Sequence, residues 1–133
     1  MTTYISCSPE ETRKIAEKFA HGLKGDECIA LIGEMGVGKT VFVQGLGSAL
    51  GEDEVTSPTF SLMNAYDQFY HFDLYRLTAE GVLQDGMDEY FYDKARIKVI
   101  EWPVIELLPP EHIEVKIEVM EENKRRITIE RQK

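Results

Sequence analysis

The sequence predicts an α/β fold with a mixed central β-sheet flanked by helices, and three observations carry the prediction. CIALI, residues 28–32, is a short apolar run of the kind that a parallel sheet buries on both faces. It leads through a glycine loop, GEMGVGKT at residues 33–40, into a segment whose apolar residues Val41, Phe42, Val43, Leu46, Ala49 and Leu50 suit a helix that stops at Gly51. Near the far end, IEVKIEVM and RRITIER alternate apolar and charged residues about a polar turn at residues 121–124, the pattern of an antiparallel hairpin with one wet face.

The remaining elements follow in order. Ser8-Pro9-Glu10-Glu11 starts a helix: Ser8 can cap, Pro9 suits the first helical position, and Glu11 completes a capping box. Ile15, Phe19 and Leu23 give that helix one apolar face, which ends near Gly22 to Gly25. SLMNAY and FYHFDLYRL, separated by Asp67 and Gln68, suggest two strands joined by a tight turn. KVIEW is a further apolar strand, stopped by Pro103. With 133 residues, no internal repeat and no linker, the chain has the size of one domain, spanning 1–133.

Composition narrows the function classes. A net charge of −9, from 24 acidic against 15 basic residues, repels a phosphate backbone, so direct, sequence-independent binding to DNA or RNA is not expected. Cys7 and Cys28 have neither metal nor redox spacing and suit reduced thiols. The first residues form no signal peptide and no apolar run is long enough to span a bilayer, which makes the cytoplasm the expected compartment.

Gly33, Gly38, Lys39 and Thr40 fit G-x-x-x-x-G-K-[ST], and the strand, loop and helix around them are the context that motif requires, so the fold is expected to be P-loop NTPase-like. Backbone N–H groups of Gly33, Glu34, Met35, Gly36, Val37, Gly38 and on to Val41 would wrap the phosphates of ATP or ADP, with Lys39 reaching the β and γ phosphates and the Thr40 hydroxyl on Mg²⁺. Asp73 ends an apolar stretch where P-loop enzymes place a carboxylate for the metal or its waters, although an Asp there also serves as a turn residue. Glu101, at the end of KVIE, suits a metal ligand or a water-orienting group; the alternative is a rim salt bridge. Thr59 in Ser57-Pro58-Thr59 suits a loop ordered by a γ-phosphate, or simply a turn. His21, His71 and His112 show no ligand spacing and suit structural or solvated roles, and Trp102 suits either the core or a rim. Asn123-Lys124 lacks the aspartate of a guanine-reading signature, since position 126 is Arg. A small-molecule kinase would need an acceptor pocket and a lid, and the stretch from Asp73 to Val99 is short and acidic. A nucleotide-dependent binding module with incidental hydrolysis is the third reading.

GEMGVGKT, SPTFSLMNAY, YHFDLYRL with the EYF at residues 89–91, and VIEWP together resemble the TsaE (YjeE) family of bacterial P-loop ATPases, in order and spacing from about Ser8 to about Val119. The resemblance implies a Mg²⁺-dependent ATPase that works with TsaD and TsaB in forming threonylcarbamoyladenosine in tRNA. It further implies Lys39 and Thr40 at phosphate and metal, Glu101 as metal ligand and catalytic carboxylate, and Asp73 as the Walker B-like acid. Thr59 belongs to its switch-like loop, and Ser8 and Thr12 lie near the adenine. From Glu121 on the match is weak, so Arg125, Arg126 and Arg131 receive no role from it. Neither Arg76 nor Arg96 is spaced to bring a guanidinium to the phosphate, so hydrolysis by the isolated chain is expected to be slow, with Thr59, Arg76 and Trp102 at or near the partner contact.

Overall fold

A computed structural model describes residues 1–58 and 62–132. Helix α1 (Pro9–His21) begins as its sequence dictates: Ser8 Oγ accepts the Glu11 N–H at 3.1 Å, and the Glu11 carboxylate reaches back to the Cys7 N–H at 2.7 Å. Strand β2 (Cys28–Ile32) is almost wholly buried and leads into the glycine loop and helix α2 (Lys39–Ala49). Strands β3 (Met63–Ala65) and β4 (Phe69–Asp73) form the expected antiparallel pair, and β5 (Ile97–Glu101) is buried along its length. The hairpin is β6 (Ile113–Glu121) and β7 (Lys124–Arg131).

Three elements have no clear sequence signal. The first residues form strand β1 (Thr2–Ser6), antiparallel to β7 with Thr2 opposite Ile129 and Ser6 opposite Arg125. Helices α3 (Ala79–Gln84) and α4 (Asp88–Phe91) are too short for a helical period to register; each contributes one fully buried residue, Val82 and Phe91.

All seven strands join one sheet in the order β1-β7-β6-β2-β5-β4-β3. β2 runs parallel to both of its neighbours, β5 and β6, and β4 runs parallel to β5, so a parallel centre carries antiparallel margins. The chain leaves β2 and later returns on both sides of it, which places the glycine loop at the switch point of strand order, where open α/β sheets form ligand crevices. One face packs Ile29, Leu31, Phe69, Ile97, Val99 and Val115 under α1 and α2. The other packs Cys28, Ala30, Tyr70, Phe72 and Ile100 under α3, α4 and the segment around Leu107 and Leu108. At the amino ends of the strands the buried Lys98 ammonium donates to the carbonyls of Asp26 and Asp93. Burial pushes the nearby Cys28 thiol up to about 12, which makes it inert at neutral pH. Among the described residues no helix is long and apolar enough to cross a membrane.

Helices α1 and α2 approach closely because Gly45 has no side chain. A Cβ there would lie 2.5 Å from the Arg13 carbonyl oxygen and 2.8 Å from the Arg13 Cα, both backbone atoms. Gly45→Ala is therefore expected to push the helices apart and cost about 1–3 kcal/mol, as overpacking does. Thermal denaturation checks it, and an unchanged midpoint would show that α1 yields without cost.

Candidate functional site

The loop at residues 33–38 is shaped by its glycines. Gly36 and Gly38 have φ of 75° and 116°, values that residues with a Cβ seldom adopt. At Gly33 the constraint is space: a Cβ would stand 2.8 Å from both the Ile117 carbonyl oxygen and Val37 Cγ1. The loop thus lies directly on β6. Arg125, from β7, fastens it from the same side by donating Nε to the Val37 carbonyl at 3.0 Å, while its Nη1 donates to the hairpin carbonyls of Glu121, Glu122 and Lys124.

The loop ends at an unusual helix start. Helix α1 has a side-chain cap and two glutamates in its first turn, whereas α2 has Gly38 as its cap, no side-chain cap bond and no acid in the first turn. Its first amides and its positive pole therefore remain available to an anion. Lys39 is the first residue of this helix and is buried, not on the surface as a loop motif suggests. Its ammonium donates to the Gly33 carbonyl at 2.7 Å and lies 3.7 Å from the centre of the Trp102 ring. Burial lowers the Lys39 pKa, and the charges of Glu101, Asp73 and Glu34 oppose that shift. The Thr40 hydroxyl lies 3.1 Å from that of Ser57.

Two carboxylates face this helix start. Asp73 and Glu101 are register partners at the carboxyl ends of the adjacent parallel strands β4 and β5. Glu101 is therefore on the strand next to β2, and Asp73 is one strand further out. Asp73 does serve as a turn residue, since its Oδ1 accepts the Tyr75 N–H at 3.1 Å. Glu101 is not at a rim: it is 5% exposed and its Oε2 lies 2.6 Å from His71 Nε2. His71, which lacks any spacing signal in the sequence, is thus part of the cluster.

Other expectations fall as follows. Thr59 lies outside the described residues, and Ser57 of the same stretch meets Thr40. The hydroxyls of Ser8 and Thr12 are engaged locally, Ser8 in the α1 cap and Thr12 with Ser6 Oγ at 2.7 Å. That corner adjoins Arg125 through the β1–β7 register. Arg96, at the opposite end of β5, packs on Tyr70 and is remote from the loop. Trp102 is half-buried, packs its ring against that of Tyr75 in a tilted arrangement at 4.9 Å and adopts φ 54°, the left-handed region. Beside the loop is a cavity of about 720 Å³, bounded by Glu34, Tyr75, Trp102, Ile105, Lys116 and Val119. This space is not legible in the sequence, because the fold assembles it from four separate segments.

Among the described residues no three His, Cys, Asp or Glu side chains close around a metal ion. Asp73, Glu101 and the Thr40 hydroxyl would offer a hard, oxygen-only and incomplete set, of the kind Mg²⁺ accepts when phosphate and water fill its remaining positions.

A glycine loop between a central parallel strand and an uncapped helix, at the switch point of a mixed sheet, defines a P-loop type of α/β protein. Comparison with known proteins is more specific. The family model for the threonylcarbamoyl adenosine biosynthesis protein TsaE matches residues 6–127. The tRNA threonylcarbamoyladenosine biosynthesis protein TsaE of Aquifex aeolicus is 39% identical over 131 residues, covering 93% of this chain and 92% of its own. The Bacillus subtilis protein of that name is 36% identical, with 91% and 80% covered. The crystal structure of Bacillus subtilis YdiB superposes with a TM-score of 0.80 at 30% identity, covering 96% of this chain and 83% of that one. The chain belongs to the TsaE family.

Proposed function

We propose that this chain binds ATP with Mg²⁺ at residues 33–41, hydrolyses it slowly to ADP and phosphate, and serves TsaD and TsaB in the cytoplasm as the accessory ATPase for threonylcarbamoyladenosine formation in tRNA. The observation that carries the reading is the start of α2: an uncapped helix pole, a buried lysine and two acids converge where the motif would place the β and γ phosphates. Thr40, Asp73 and Glu101 would hold Mg²⁺, which supplies charge neutralisation on the phosphates when bound. Lys39 would exchange the Gly33 carbonyl for phosphate oxygens, and Glu101 would orient the attacking water.

Such an exchange moves the ammonium away from the Trp102 ring. Because Trp102 is the only tryptophan, its emission is expected to change on titration with Mg·ATP, and the change should vanish in Lys39→Ala. An unaltered spectrum at saturating nucleotide would mean that Lys39 does not leave the ring.

Slow turnover follows from the arginines. The guanidinium that touches the loop, Arg125, donates Nε and Nη1 to backbone carbonyls. A positive group at the γ-phosphate is worth about 10³ to 10⁵ in rate, so the TsaD–TsaB complex is expected to raise turnover by at least about tenfold, with Arg76 and Trp102 at or near the contact. Steady-state ATPase assays with and without the partners test this. Rapid turnover alone that partners leave unchanged would overturn it.

The cavity beside the loop supports a second reading, because it gives a small-molecule kinase the acceptor space that the sequence does not reveal. Product analysis separates the two: free phosphate for the ATPase, a phosphorylated small molecule for the kinase. A binding module would instead keep nucleotide-dependent partner binding after hydrolysis is lost.

A further inference from the structure

We infer that His71 is a positioning residue for Glu101, an inference that rests on the proposed placement of Glu101 beside Mg²⁺ and the attacking water. His71 and Asp73 are alternate residues of β4 and project on the same face as Phe69, the face covered by α2. Glu101 is level with Asp73 on β5, so His71 sits diagonally beneath it, one step further from the loop. From there its Nε2 meets Glu101 Oε2 at 2.6 Å, a short hydrogen bond.

The other ring nitrogen argues against a purely space-filling role. His71 is completely buried, and its Nδ1 is the buried side-chain polar atom left without a hydrogen-bond partner among the described residues. An apolar side chain of similar volume would fill the same site and leave nothing unpaired. What the imidazole adds is the single contact with Glu101. Anchoring Oε2 removes the rotational freedom of the Glu101 carboxylate and so fixes where its other oxygen, Oε1, can lie. Glu101 also exerts the largest charge effect on Lys39, so the position of this carboxylate affects both the phosphate-binding and the metal-binding sides of the site.

Groups that orient a metal-ligating carboxylate typically cost 10–100-fold in metal affinity or activity when removed, so His71→Leu is expected to lower kcat for ATP by about tenfold or more. KM for ATP should stay within about threefold, the signature of a lost transition-state contact rather than lost substrate binding. His71→Gln, which keeps an N–H donor at comparable reach, should restore most of kcat. In a Glu101→Ala background His71→Leu should add no further loss, because its target is gone. Independently of turnover, the affinity of Mn²⁺ for the ADP complex, read by electron paramagnetic resonance, should fall in His71→Leu and recover in His71→Gln. If thermal denaturation shows that the leucine variant does not fold, His71→Asn, polar but too short to reach Glu101, takes its place against His71→Gln. Equal impairment of the leucine and glutamine variants, additive losses in the double variant, or unchanged kcat and Mn²⁺ affinity would each overturn the inference. Failure of the unsubstituted protein to bind ADP would instead remove the nucleotide reading, and this inference with it.

Discussion

Replacing Lys39 with alanine is expected to abolish nucleotide binding and turnover while the chain still folds. The ammonium would make two or three charge-assisted hydrogen bonds to phosphate oxygens, each worth about 1.5–3 kcal/mol, so a loss of at least about two orders of magnitude follows. Folding survives for a reason visible only in the structure. Burial lowers the Lys39 pKa, so the charge is held there at a cost, and its removal leaves the Gly33 carbonyl and the Trp102 ring at the wall of a cavity rather than in a sealed core. Titration calorimetry with ATP and circular dichroism check both halves. Wild-type affinity together with wild-type turnover would remove the P-loop assignment of function.

Glu101→Gln is expected to lower kcat by about 10²-fold or more while leaving ATP affinity nearly unchanged, because a carboxylate beside the metal and the attacking water matters most as charge develops. Glutamine is a better test than alanine. Alanine would strip the buried His71 ring of the one side-chain hydrogen bond it makes among the described residues, and an orphaned buried polar group costs about 1–3 kcal/mol whatever the chemistry. Glutamine keeps an acceptor for Nε2 and removes only the charge. Turnover at the wild-type rate would return Glu101 to a structural role.

The parts of this fold that the sequence made legible are those with a strong local code. Ser8-Pro9-Glu10-Glu11 fixes the start of α1 through bonds within five residues, and the apolar run 28–32 and the alternation in β6 and β7 fix which faces are buried. Strand β1 lacked such a code: TTYIS has only five residues at an edge, and its pairing with β7 is set by a partner at the other end of the chain. The same holds at the candidate site. Lys39, Thr40, Asp73 and Glu101 stand in recognisable motifs, whereas His71 joins them only because β4 and β5 run parallel in one particular register. Arg125 is similar. In sequence it belongs to a charged turn, yet in space it holds Val37, because β7 lies beyond β6, against which the glycine loop packs.

The pairing of β1 with β7 has a consequence in time. Ser6 and its partner Arg125 are about 120 residues apart, so at translation rates of about 5–20 residues per second the first strand exists for roughly 6–24 seconds before anything it can pair with has been made. During that interval the rest of the sheet can assemble around β2, but the anchor from Arg125 to the glycine loop is still missing. A nascent chain therefore acquires its glycine loop in finished form only as β7 arrives, and ribosome-bound intermediates stalled before residue 124 should carry the motif without its anchor.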